Sequence, residues 1–401
     1  MRAVSCLYEG SACFHQMGFL GFPVCRLGQP RFYFRFSAFF KEHGSACGCL
    51  TQIGAPTHFH ESDPLSPEPM SRPMQSPPAV AVQRRWHRRP TRSWLWPVAL
   101  TCGLILFYGL AGYFCTASLI GENPRWRGMN RGPDDFGLKS EVIALRSTDG
   151  ISLKAWWLPA DGQARANIII AYGIDHTRQV MLPRASFLVH GGYSVLALDL
   201  RGHGESAAQY ATPGYLEARD ILGAVRYVRS HGGTKPIVLV GISYGAVASL
   251  LAAGQSQEIA AVIADGAYPT GKAVYENINR HFVGAKGTKP WLRALFLVAN
   301  CPGIPWAASL VYYARTGIYL GSDFVSVMPS ASRIKVPVLL ISGERDWIVP
   351  TEQMRTILAA LPTEHKSLVV IPNAYHDTTF SAGSTVYKNA VLSFLDNNFR
   401  R

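Results

Sequence analysis

The sequence predicts an α/β fold: a doubly wound, mostly parallel sheet carrying a small helical cap and preceded by one transmembrane helix. Three observations carry that expectation. The runs A-N-I-I-I-A-Y, Y-S-V-L-A-L-D, P-I-V-L-V-G, A-A-V-I-A-D, P-V-L-L-I-S-G and S-L-V-V-I-P are almost continuously apolar, the pattern of parallel strands buried on both faces. Between them lie helical windows such as Y-L-E-A-R-D-I-L-G-A-V-R-Y-V and A-V-A-S-L-L-A-A-G, and this alternation builds one sheet with helices on either side. Ahead of the pattern, residues 97–120 carry no charge at all.

Taken in order, residues 1–69 mix Cys, Phe, Gly and His without sustained periodicity and end in S-D-P-L-S-P-E-P, so no fold is expected there. They read as a targeting or regulatory tail, or as sequence upstream of a true start at Met70 or Met74; the second reading is preferred. Cys47-x-Cys49 and His58-x-His60 do not have the spacing of a zinc module, and no metal is expected on them. Residues 70–93 form a basic linker containing Arg84, Arg85, Arg88, Arg89 and Arg92.

Residues 94–121 are the membrane candidate. At 1.5 Å per residue the uncharged run makes a helix about 36 Å long, enough to cross a bilayer with some tilt. Flanking Trp and Tyr together with the upstream arginines argue against a buried core helix. A cleaved signal peptide is the nearer rival, with Cys115-Thr116-Ala117 as a marginal cleavage site. The preferred reading is a signal anchor, amino end cytoplasmic and the large domain periplasmic or extracellular. A connector, 122–140, follows.

From residue 141 to 401 the chain is one domain. It opens with a hairpin, V-I-A-L and S-L-K-A-W-W-L-P, around Thr148-Asp149-Gly150. The interval 269–334 is too long for a plain crossover and contains Trp291, Phe296, Trp306, Tyr312, Tyr313 and Tyr319; it is expected to cap the carboxyl edge of the sheet. Net charge is +13, densest ahead of Trp96, where 11 Lys/Arg face 5 Asp/Glu. Without an interleaved aromatic–basic motif, this argues against nucleic-acid binding. Five of the eight cysteines lie in the first 49 residues and only Cys301 lies in the domain, so no disulfide framework is expected.

The chemistry centres on G-I-S-Y-G, residues 241–245. A G-x-S-x-G occurs by chance on the order of once in ten chains of this length, so context must decide. Here it follows a strand and opens a helix, the setting of a nucleophile elbow, with Gly241 and Gly245 leaving room around a strained turn. Loops after parallel strands share one edge, which brings distant residues together. His376 follows the last strand and is the candidate base; His365 precedes that strand, at the wrong edge. Asp346 is the candidate orienting acid, with Glu344 and Asp265 as alternatives. Each has a plainer reading, as a polar loop residue or a turn former, but the order Ser, Asp, His at three post-strand positions favours a catalytic set.

From about residue 141 to its end the chain resembles the α/β-hydrolases, most closely the membrane-anchored or secreted serine hydrolases that include lipid and acyl-thioester hydrolases. The resemblance rests on G-I-S-Y-G, G-Y-S-V-L-A-L, D-L-R-G-H-G-E-S (199–206) and G-E-R-D-W-I-V-P (343–350). It implies an acyl-enzyme mechanism on an ester or thioester without cofactor or metal, an acyl or lipid-like small molecule as substrate, and a structural role for Arg201 and His203. It also implies an oxyanion hole from the backbone N–H groups of Tyr244 and Ile174. One departure is Tyr172-Gly173, where the family usually has His-Gly. Two alternatives remain: a serine peptidase of the prolyl oligopeptidase type, and an inactive membrane-tethered binding protein. Oligomeric state is not legible.

Overall fold

The computed structural model describes residues 95–120, 130–174, 176–208 and 210–399. The amino-terminal segment, the basic linker, the Cys47/Cys49/His58/His60 group and residues 122–129 of the connector lie outside them.

The sheet has eight strands: β1 (Glu141–Arg146), β2 (Ser152–Leu158), β3 (Asn167–Ala171), β4 (Ser194–Leu198), β5 (Ile237–Ile242), β6 (Ile259–Asp265), β7 (Val338–Gly343) and β8 (Lys366–Ile371). Their spatial order is β1-β2-β4-β3-β5-β6-β7-β8. Only the β1–β2 and β2–β4 pairings are antiparallel; from β4 to β8 all are parallel. In β3, β4, β5 and β7 every residue is buried, which is why these strands read as unbroken apolar runs rather than as alternation.

Alternation survives inside those runs as a choice between two cores. Ile169, Leu196, Leu239 and Leu340 face one layer, which holds Ile221, Val225 and Val228 of α3 (Glu217–His231) and Leu250 of α4 (Tyr244–Ala253). Ile170, Val195, Val240 and Ile341 face the other, with Leu188 of α2 (Leu182–His190) and Tyr387, Val391 and Leu395 of α11 (Ser384–Asn398). Truncating one such residue to alanine costs about 2–5 kcal/mol, a large part of a typical domain's stability.

Ahead of the sheet stands α1 (Leu95–Thr116), long and apolar enough to cross a membrane. Most of its side chains are exposed, Trp96 at 80% and Ile105 at 68%, and only Gly112 and Thr116 near its end are buried. That is the reverse of a core helix.

Between β6 and β7 the chain forms α5 (Gly271–Gly284), α6 (Pro290–Ala299), α7 (Ile304–Thr316) and α8 (Met328–Ala331). Thr270 caps α5 by accepting the Ala273 N–H at 3.1 Å. These helices reach the loops at the carboxyl edge of the sheet. Asn277 donates to the Ile348 carbonyl at 2.9 Å, His281 stacks on Trp347 at 3.8 Å, and Tyr312 donates to the Ala211 carbonyl at 3.0 Å. The end of α1 packs on the same insertion. Tyr108 donates to the Pro302 carbonyl at 2.8 Å, and a methyl group at Gly112 would lie 2.9 Å from the Ala307 carbonyl carbon. The remaining helices, α9 (Thr351–Ala360) and α10 (Thr379–Ala382), follow β7 and β8.

Candidate active site

β5 ends at Ile242, and the turn into α4 places Ser243 at φ 53°, ψ −115°. Positive φ is uncommon for a residue with a side chain and costs on the order of 1–3 kcal/mol, so the surroundings must hold it. They do so through close backbone approach. A methyl on Gly241 would come within 2.2 Å of the Gly245 carbonyl oxygen, and one on Gly245 within 2.3 Å of the Ala171 carbonyl oxygen. The Ser243 N–H donates to the Asp265 carbonyl at 2.8 Å, pinning the turn to β6.

His376, in the loop after β8, brings Nε2 to 2.9 Å from Ser243 Oγ. Its Nδ1 lies 2.7 Å from Asp346 Oδ2, in the loop after β7. The other oxygen of Asp346 accepts the backbone N–H groups of Ile348 at 3.0 Å and Val349 at 2.8 Å, which fixes the carboxylate. All three side chains thus form one hydrogen-bonded line, with His376 and Asp346 buried. Burial works most strongly against the imidazolium, but the charge and hydrogen bond of Asp346 together with the charges of Asp265 and Asp377 outweigh it, so the pKa of His376 is raised.

The competing residues take other positions. Glu344 accepts the Asn373 N–H at 2.8 Å, in the loop after β8, and is not bonded to His376. Asp265 is fully buried and accepts the Thr379 hydroxyl at 2.6 Å, with Arg184 at 3.8 Å; burial pushes its pKa up to about 6. His365 lies at the opposite edge, where its carbonyl accepts the Val338 N–H at the start of β7.

Tyr244 is the first residue of α4, and the N–H groups of a helix point toward its start, here toward the elbow. The loop after β3 lies against it: a methyl on Gly173 would sit 3.3 Å from the Tyr244 nitrogen and 2.9 Å from Ser243 Cβ. Ile174 follows in this loop and is half-buried. Sequence reasoning did not single out Gly173 or Gly266 for close approach. Gly266 has φ +64°, and a methyl there would meet His376 Cε1 at 3.0 Å. A glycine within two residues of a strand's end at the site edge is the signal that marks both.

The D-L-R-G-H-G-E-S loop is held by ion pairs away from the elbow. Arg201 binds Asp220 at 2.7 Å and Asp149 at 2.8 Å, Asp199 pairs with Arg178, and His203 Nδ1 lies 2.9 Å from the Arg201 carbonyl. A methyl on Gly204, at φ +53°, would strike the Asp199 carboxylate.

A mostly parallel sheet whose post-strand loops converge on one serine-bearing turn defines the α/β-hydrolase class. Residues 173–387 match the model of the alpha/beta hydrolase family, and the chain belongs to that family. Among curated proteins it is similar to the alpha/beta hydrolase domain-containing protein WAV2 of Arabidopsis thaliana, 25% identical over 66% of this chain and 81% of the relative. It is also similar to the membrane protein YNL320W of Saccharomyces cerevisiae, 23% identical over 62% of this chain and 77% of that protein. Among solved structures, an esterase of Pyrococcus furiosus superposes with a TM-score of 0.57 at 23% identity, covering 70% of this chain and 98% of the esterase.

Proposed function

We propose that this chain is a membrane-anchored serine hydrolase that cleaves carboxylic esters or thioesters of acyl or lipid-like substrates through an acyl-enzyme. The observation that carries this is the Ser243–His376–Asp346 line on a strained elbow, with contacts of 2.9 and 2.7 Å. His376 Nε2 takes the Ser243 proton as Oγ attacks the carbonyl carbon. The backbone N–H groups of Tyr244 and Ile174 stabilise the resulting oxyanion. Collapse expels the alcohol or thiol, which takes its proton from His376. Water then attacks the acyl-enzyme with His376 again as base, and the acid is released. Asp346 holds the imidazole in the tautomer that presents Nε2 to Ser243 and stabilises the imidazolium between steps.

α1 anchors the protein, with the arginine-rich segment before it cytoplasmic and the hydrolase domain across the membrane. Similarity to a yeast membrane protein supports the anchor. The discriminating experiment is a fluorophosphonate probe on the full-length protein, followed by p-nitrophenyl esters of graded chain length. Labelling that maps to Ser243, with ester turnover, supports the reading. A folded protein that neither labels nor turns over any ester sinks it in favour of a tethered binding protein.

A further inference from the structure

Beside the elbow lies a cavity of about 150 Å³ with an almost wholly apolar lining. Ser243 does not line it, but its neighbour Tyr244 does, together with Tyr268. The rings of these two tyrosines lie 6.4 Å apart, and Tyr268 is tied down by donating to the Pro213 carbonyl at 2.9 Å. The opposite walls come from two sources. Ile278 of α5 and Phe296 of α6 supply one; Phe114 and Cys115 of α1, with Leu119 just beyond it, supply the other. The Cys115 sulfur lies 3.8 Å from the Tyr275 hydroxyl, so the two walls touch.

We propose that the membrane helix is part of the substrate site: the cavity takes the tail of a straight acyl chain whose carbonyl lies at Ser243, and Phe114 and Cys115 limit its length. This rests on the serine-hydrolase reading above. An apolar space of about this volume accepts a guest the size of benzene, which is room for about six carbons. The helix cannot act as a passive tether in this arrangement. It is held on the insertion by close backbone approach at Gly112, by the Tyr108–Pro302 hydrogen bond, and by Arg315 lying 4.9 Å over the Tyr113 ring. Cleavage after Ala117 would remove Phe114 and Cys115 and open the cavity along one side.

The experiment uses full-length protein in lipid nanodiscs and reads the ratio of kcat/KM for octanoyl over acetyl esters. Each methylene that finds apolar cover gains roughly fourfold. Cys115→Phe fills the cavity and lowers the ratio on the order of tenfold. Phe114→Ala lengthens it and moves the optimum toward dodecanoyl. Wild-type ratios in both variants overturn the proposal while leaving the hydrolase reading intact. Supplying the ester within the disc or in the buffer separates a lipid source of the chain from a soluble one. A second arm needs no turnover: a fluorescent medium-chain fatty acid should bind Ser243→Ala protein and bind the Ser243→Ala, Cys115→Phe protein several-fold more weakly. Equal binding by the two, or none by either, overturns the assignment, whereas weakened binding by the double variant alongside a wild-type protein that hydrolyses no ester preserves the cavity and sinks the catalytic reading alone.

Discussion

Nδ1 of His376 stands 2.7 Å from Oδ2 of Asp346, and the other oxygen of that carboxylate is held by two backbone amides. The aspartate is therefore fixed before the histidine meets it, and its charge holds the imidazolium stable despite burial. A base must be neutral to accept the serine proton. With the His376 pKa raised, protonation sets in at a higher pH than for an ordinary histidine, and kcat/KM should begin to fall at a pH above the usual histidine range. Asp346→Asn removes the charge, so the acid limb should move to lower pH while kcat drops by on the order of ten thousandfold. A pH–rate profile of both proteins checks this. An unmoved limb would separate Asp346 from the base.

Ser243→Ala should remove ester turnover by on the order of a thousandfold or more and leave the fold unchanged, because one hydroxyl is lost. His376→Ala should be comparably severe and His365→Ala close to neutral. Steady-state rates with circular dichroism on each variant decide it. A damaging His365→Ala would displace the assigned base.

The alternative acids give a sharper comparison. Glu344→Gln keeps an acceptor for the Asn373 N–H and should change kcat less than tenfold. Asp265 lies under the site on Thr379 and near Arg184, so Asp265→Asn leaves Arg184 without its buried counter-charge. The expected cost is stability of about 3–5 kcal/mol, read as a lowered Tm, more than turnover per folded molecule. Loss of kcat at unchanged Tm would move the orienting role to Asp265.

The sheet was legible in the sequence and the inner contacts of α1 were not, for physical reasons. Strands buried on both faces advertise themselves as apolar runs, and β3 to β7 lie where those runs lie. The hairpin of β1 and β2 likewise follows its turn residues Thr148, Asp149 and Gly150. The position of an acid after a strand, by contrast, says nothing about where its carboxylate points. Glu344 and Asp346 follow β7 and Asp265 ends β6, all at the same edge, and only their hydrogen-bond partners separate them. Packing of α1 on the insertion was hidden as well. It depends on a small residue, Gly112, meeting Ala307 nearly two hundred positions away, and no local pattern reports such a contact.

The five arginines ahead of α1 make a topological claim. A reporter that works only in the cytoplasm should be silent when fused after Arg401 and active when fused ahead of Arg84. Activity of the carboxyl-terminal fusion would reverse the orientation. Removing residues 1–69 should change neither membrane attachment nor ester turnover; loss of either would assign that segment to the working protein.

Gly173 offers the most direct test of the oxyanion site, because it lies where the loop after β3 meets the elbow. Its missing side chain leaves the space beside Ser243: a methyl there would lie 2.9 Å from Ser243 Cβ and 3.3 Å from its hydroxyl oxygen. Neither neighbour can yield freely, since Ser243 is held at positive φ and its N–H is bonded to Asp265. Gly173→Ala should therefore push the loop, and the Ile174 N–H with it, away from the Tyr244 N–H. Misplacing one donor by even about 1 Å costs on the order of a hundredfold in rate. The loss should fall on kcat, with KM little changed, since the donors act on charge that develops in the transition state. Labelling of Ser243 by the fluorophosphonate should slow in parallel, as its phosphoryl oxygen uses the same donors. Wild-type kcat in a folded Gly173→Ala protein would remove this loop from the oxyanion site.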